Sequence, residues 1–173
     1  MTTTDGPAIG TGLLHSADGG DHFSLEAGLI PGIACSYSPA SGTVVWAYCS
    51  GGHFMFAYRS ADGGAYFISA GRSGTPAVTP SGSTLVAASS GTAVVANDLS
   101  GSPLVRTIDK GAKWNAVQAA PDTSGTWSLI GFTTPEAGNA LWEHDGATYQ
   151  ASPAQLWRTT DAGASWAAVA ALP

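Results

Sequence analysis

One eight-residue phrase recurs four times along this chain and limits its fold more than any other feature. Ser16-Ala17-Asp18-Gly19-Gly20-Asp21-His22-Phe23, Ser60-Ala61-Asp62-Gly63-Gly64-Ala65-Tyr66-Phe67, Thr107-Ile108-Asp109-Lys110-Gly111-Ala112-Lys113-Trp114 and Thr159-Thr160-Asp161-Ala162-Gly163-Ala164-Ser165-Trp166 share one form. It reads hydroxyl, any residue, Asp, any residue, Gly, any two residues, aromatic. Successive aspartates stand 44, 47 and 52 residues apart. Self-similarity at such a period marks a repeat architecture, each copy being one small supersecondary unit.

Each repeated residue has a mechanical task. The glycine (Gly20, Gly64, Gly111, Gly163) suits a backbone position with φ > 0, where other residues are penalised. The Asp and the Ser or Thr can close an Asx-type turn by bonding nearby backbone groups. The aromatic starts the next strand and offers a large apolar face for burial. A strand-like run precedes each phrase: Gly12 to His15, Phe56 to Arg59, Leu104 to Arg106 and Leu156 to Arg158. The unit therefore reads strand, rigid turn, strand. The phrase resembles the Asp-box, or bacterial neuraminidase repeat, of sialidase-like and related β-propellers. That resemblance implies an all-β fold of propeller blades in which the box is a structural turn on the rim.

Composition agrees with many short strands and excludes several functions. Hydrophobic residues make up 44% of the 173 and charged residues 10%, with 23 Gly and 10 Pro as turn punctuation. No apolar run reaches the roughly 18 to 20 residues of a membrane span, so no membrane insertion is expected. The net charge is −6 and the six Lys and Arg are scattered singly. Binding a nucleic-acid backbone requires clustered cations, so nucleic acid is not an expected partner. Residues 1–6 lack the basic start and apolar stretch of a signal peptide; either the protein is cytosolic or its export signal lies elsewhere. Cys35 and Cys49 fall on what read as neighbouring strands. They make either a disulfide, implying an extracytoplasmic or secreted protein, or two buried thiols; strand register decides which.

In chain order, residues 1–10 read as a flexible lead-in. Residues 11–26 give a strand, the first box and a second strand, a half-blade. Three fuller units follow at 27–69, 70–118 and 119–170, with residues 70–83 a Gly/Pro/Ser-rich connector. The turn at Ser38 to Gly42 followed by Val45-Trp46 matches Thr134 to Gly138 followed by Leu141-Trp142. That longer match is similar to propellers of the photosystem II assembly-factor type; the unit at 70–118 lacks its Pro and Trp. Three four-stranded blades and a half-blade fall short of the four to eight blades of a closed propeller, and a bare strand edge invites pairing. The chain thus reads as part of a larger propeller or as an arc completed by another copy, with a closed four-bladed ring as the remaining option.

Chemistry is hard to place on this framework. Resemblance to sialidases implies an arginine triad, but Arg59, Arg106 and Arg158 each immediately precede a box on separate units. Equivalent positions on successive blades diverge, whereas capture of a carboxylate needs convergent guanidinium groups. They read as solvated rim arginines, leaving only Arg72 away from the boxes. The boxed aspartates supply one carboxylate per unit, too few for Ca²⁺. The groups His15, His22, Glu26 and Glu143, His144, Asp145 have no zinc-site spacing. No nucleophile elbow, Walker loop or dinucleotide fingerprint occurs. No catalytic residue, metal or cofactor is expected. Binding is the stronger class: six Trp and five Tyr in an acidic chain suit a glycan or protein partner. Trp127, Trp142 and Glu143 are the candidate ligand-binding residues. The expected function is a non-catalytic binding or scaffold module, the alternatives being a fragment of a sialidase-like glycoside hydrolase or an assembly factor for a membrane complex.

Overall fold

The computed structural model describes residues 13–16, 18–26, 34–51, 54–70, 84–97, 99–144 and 154–169. The lead-in at 1–10, residues 71–83 of the connector, Arg72 and Asp145 lie outside them.

The described residues are all-β, without helix. The strands are β1 (Leu13–His15), β2 (Ser24–Glu26), β3 (Ala34–Pro39), β4 (Val45–Gly51), β5 (Phe54–Ser60), β6 (Ile68–Ser69), β7 (Thr84–Ala87), β8 (Ala93–Ala96), β9 (Leu104–Thr107), β10 (Asn115–Gln118), β11 (Gly125–Phe132), β12 (Gly138–His144), β13 (Gln155–Thr159) and β14 (Ala167–Ala168). They form a hairpin, β1-β2, and three four-stranded antiparallel meanders: sheet I (β3 to β6), sheet II (β7 to β10) and sheet III (β11 to β14). In each the repeated phrase joins the third strand to the fourth, so its corner sits at the outer edge. Strand β7 packs on β3 and β4, and β11 packs on β7 and β8. The first strands of consecutive sheets therefore lie together while the corners fan outwards.

Burial follows from this stacking. Sheet II is covered on both faces, and all four residues of β8, Ala93-Val94-Val95-Ala96, are buried. A doubly covered strand reads as an unbroken apolar run. One face of sheet II joins Trp46, Tyr48 and Met55 of sheet I through Leu85, Ala87 and Val95. The other joins Trp127, Ala140 and Trp142 of sheet III through Val94, Ala96 and Leu104. Strand β12 instead alternates buried and open positions, because only one face of sheet III is covered.

Register corrects the longer sequence match. Trp46 pairs with Arg59, Val94 with Arg106 and Asn139 with Arg158, the residue before each corner. Trp46 is thus equivalent to Asn139, not to Trp142. The first-hairpin turns agree: Ala40 and Ser41 N–H donate to Val44 O, Ala88 and Ser89 to Thr92 O, Thr133 and Thr134 to Ala137 O. Ser41, rather than Ser38, corresponds to Thr134, and sheet II carries the same turn without a proline. The sequence match is displaced by three residues because hydrogen-bonded turn geometry, not the Pro and Trp, sets the frame.

Cys35 and Cys49 are directly paired across β3 and β4, with Cα atoms 4.0 Å apart, and are joined by a disulfide.

Candidate functional site

The four corners share one hydrogen-bond circuit. The hydroxyl donates to the Asp Oδ1 at 2.7 Å in Ser16–Asp18, 2.6 Å in Ser60–Asp62, 2.9 Å in Thr107–Asp109 and 2.7 Å in Thr159–Asp161. The same oxygen accepts the N–H of Gly20, Gly64, Gly111 or Gly163 at 2.7–3.0 Å. Oδ1 then accepts the N–H four residues on, from His22, Tyr66, Lys113 or Ser165, at 2.9–3.0 Å. Hydrogen bonds to the charged form favour it. The His22 N–H, then the Ser16 hydroxyl and the His22 ring, lower Asp18 to about 2. The Ser165 hydroxyl and N–H, with Thr159, lower Asp161 to about 2. Asp62 is lowered first by the Ser60 hydroxyl, and Asp109 first by the Lys113 N–H. These carboxylates are held in the ionised form by hydrogen bonds from their own turns.

The three corners of sheets I to III are also pinned to their own sheets. Gly63, Lys110 and Ala162 donate N–H to Thr43 O (2.7 Å), Gly91 O (3.0 Å) and Glu136 O (2.9 Å) of the first-hairpin turn. Lys110 and Ala162 do so with φ of 62° and 59°, a left-handed conformation the sequence pattern did not reveal. The following glycine is required twice over. Gly163 has φ of 81°, and a Cβ there would lie 2.7 Å from Val94 Cγ2 of sheet II; at Gly111 it would overlap the Ala70 carbonyl of sheet I.

Two of the three arginines are not the solvated rim groups expected. Arg59 donates Nε–H to Ser90 O (2.8 Å), and Arg106 donates Nε–H to Ala162 O (2.8 Å), each reaching the next sheet. Strand pairing places them on the face that the next sheet covers, so solvation gives way to a main-chain acceptor. Arg158 is exposed. The three point along the fan and do not converge.

The candidate ligand-binding tryptophans are corrected as well. Trp127 is 4% exposed and Trp142 1%. Trp127 stacks edge-on against Trp142 (centroids 5.0 Å apart) and Trp157 (5.5 Å), in the core between sheets II and III. Their positions on the covered face leave no ring free to stack on a sugar, and Glu143 alone of the trio is exposed. Trp166 and Phe67 are buried, and Trp114 packs edge-on against Trp46 (6.2 Å). Phe23 is the exception among corner aromatics, being 61% exposed.

Beside Glu143 lies a polar group not anticipated from sequence. Asp122 Oδ1 accepts from the Ser124 N–H and hydroxyl, both at 2.8 Å, and Ser124 Oγ is 3.1 Å from His144 Nδ1. His144 Nδ1 is also 3.5 Å from Asp122 Oδ2. The Ser124 N–H and hydroxyl lower Asp122. Serine and aspartate meet the same ring nitrogen, so the imidazole cannot take the serine proton at one nitrogen while the carboxylate orients it through the other, as a catalytic triad does. The Asp-x-Ser turn is local and legible; His144 arrives through the Gly125–His144 register. Among the described residues no three His, Cys, Asp or Glu side chains group to hold a metal.

Solved structures with this arrangement are propellers. A GH74 enzyme from Niastella koreensis superposes with a TM-score of 0.59 at 14% identity, over 91% of this chain and 25% of that one. These sheets are β-propeller blades. The GH74 xyloglucanase from Xanthomonas campestris gives a TM-score of 0.50 at 17% identity, over 75% of this chain and 19% of that one. YCF48 bound to D1 peptide gives 0.44 at 16% identity, covering 84% and 46%, too loose a likeness for argument. The chain spans a quarter or less of the GH74 enzymes. No protein-family model matches it, and no curated protein matches it. What the propeller likeness establishes is the fold: blades stacked face to face, first strands innermost, corners at the periphery.

Proposed function

We propose that this chain is a non-catalytic binding or scaffold module that presents its inter-strand loops to a protein or glycan partner. The observation that carries this is the engagement of the repeated polar residues. Every corner carboxylate accepts hydrogen bonds from its own turn, and two of the three repeat arginines are bound to the next blade. The recurring residues therefore hold blades rather than substrates. The group of exposed Ser124, Glu143 and His144 with half-buried Asp122 at one end of blade III offers donors and acceptors for such a partner. We take the unit limits as 11–26, 27–69, 70–118 and 119–170. The disulfide supports an extracytoplasmic setting, where such bonds persist; no described helix is long and apolar enough to cross a membrane.

The test is binding against turnover. Arrays of glycans and peptides are expected to retain the protein, with Glu143→Ala and His144→Ala weakening retention. Xyloglucan oligosaccharides and fluorogenic sialosides are expected to remain uncleaved. The second reading, part of a glycoside hydrolase, is favoured by the GH74 fold likeness over 91% of the chain. Hydrolysis above background by the isolated chain would replace the first reading with the second.

A further inference from the structure

Two surfaces of the described residues carry complementary halves of one inter-blade contact. Within the chain, each blade meets the next by one recipe. The forward face offers the residue paired with the pre-corner arginine, Trp46 or Val94, and the arginine donates to a main-chain carbonyl ahead. The following blade lays its corner aromatic on that face: Trp114 against Trp46, and Trp166 in the cluster of Val94. The forward face of blade III carries Asn139, Leu141, Leu156 and Arg158 at the same register positions. There Leu156 is 40% exposed, and Arg158 has no acceptor among the described residues. On the other surface, the β1-β2 hairpin turns the paired Leu14 and Leu25, with the corner aromatic Phe23, to solvent; they are 59%, 67% and 61% exposed. Leu14 corresponds to Val105 and Trp157, and Phe23 to Trp114 and Trp166, all of which face the preceding blade.

We infer that the forward face of blade III receives the β1-β2 hairpin of a second copy of this chain, head to tail. Phe23, Leu14 and Leu25 cover Leu141 and Leu156, and Arg158 donates to a main-chain carbonyl of the Ser16–Phe23 corner, as Arg106 does to Ala162. The second copy is the occupant because both halves of the recipe are present on one chain and unused among the described residues. Asn139 stands where Trp46 and Val94 stand, so this junction is more polar than the internal ones and reversible. The two surfaces differ, making the contact heterologous; two copies can satisfy both junctions in a closed ring. The inference rests on the binding-module reading only through the propeller geometry, and its test is separate from any ligand assay.

The experiment is sedimentation equilibrium of the full chain over a wide concentration range. The expected result is a mass rising from 17.3 kDa towards twice that value. Phe23→Asp and Leu156→Asp, both at exposed positions, should each hold the chain monomeric. Mixed in equal amounts they should recover a one-to-one dimer, since each retains one intact end. Arg158→Ala should weaken association about tenfold, the loss of one charge-assisted hydrogen bond. Wild-type chain that stays monomeric throughout overturns the proposal and leaves the face to a further stretch of blade or an unrelated partner. So does a dimer indifferent to both aspartates, or a mixture that fails to recover.

Discussion

At the scale of single residues, adjacent corner positions should respond very unequally to substitution. Gly163→Ala places a methyl group against the buried Val94 and forces an L-residue into a left-handed conformation. Those terms together cost about 3 kcal/mol, which denaturant unfolding would measure. Ala162→Gly relieves a comparable backbone penalty but adds chain entropy to the unfolded state. Its effect should fall within about 0.5 kcal/mol of zero. The carboxylates give a second prediction. Their folded pKa values lie below the ordinary 3.8, at about 2 for Asp18 and Asp161. A depressed carboxylate contributes stability above its unfolded pKa and loses it as pH falls through the folded one. Stability should therefore decline between roughly pH 4 and 2, and Asp161→Asn should flatten that limb in an acid unfolding series. The corners were legible in the sequence because their circuit closes within a few residues. Hydroxyl, Asp and Gly are each specified by a neighbour no more than four positions away. The left-handed Lys110 and Ala162 were not legible, since a carbonyl from another hairpin imposes their conformation.

At the scale of strands and sheets, the arginines separate contacts made within the chain from those left open. Arg106 is half-buried and donates across to blade III. Arg106→Ala should cost about 1–2 kcal/mol, a charged donor lost from a partly covered acceptor. Arg158→Ala should leave the unfolding free energy of the monomer within about 0.5 kcal/mol of wild type, as exposed substitutions do. Chemical denaturation of the two variants side by side checks both. Equal effects would mean that the arginines act through general charge. Sequence reading placed three arginines at repeat spacing but could not see that Ser90 and Ala162 lie 31 and 56 residues downstream of their donors. Tryptophans gave the same lesson in reverse. Trp46 and Trp142 look like repeat partners, yet one faces forwards and the other back. A shift of one residue changes the face of a strand, and the three-residue offset was fixed by turns whose frame only the hydrogen bonds disclose.

At the scale of the molecule, one covalent link sits far from the middle of the stack. The Cys35–Cys49 disulfide ties β3 to β4 across 14 residues. Closing a loop of that length stabilises by about 3 kcal/mol through the unfolded chain. Reduction, or the Cys35→Ser/Cys49→Ser double variant, should lower unfolding free energy by about 2–3 kcal/mol while keeping the β-rich circular dichroism. Blade II, which is covered on both faces, should exchange its β8 amide protons most slowly. Self-sufficient corners have a further consequence for how such a chain can change. Because each of the three blade corners fastens to the first hairpin of its own sheet, loops outside the corners and the packed faces can lengthen or be rewritten while the corners stay in place. The unequal intervals of 44, 47 and 52 residues record that licence. A protein assembled on these terms can trade one binding loop for another, by descent or by grafting, and keep its frame.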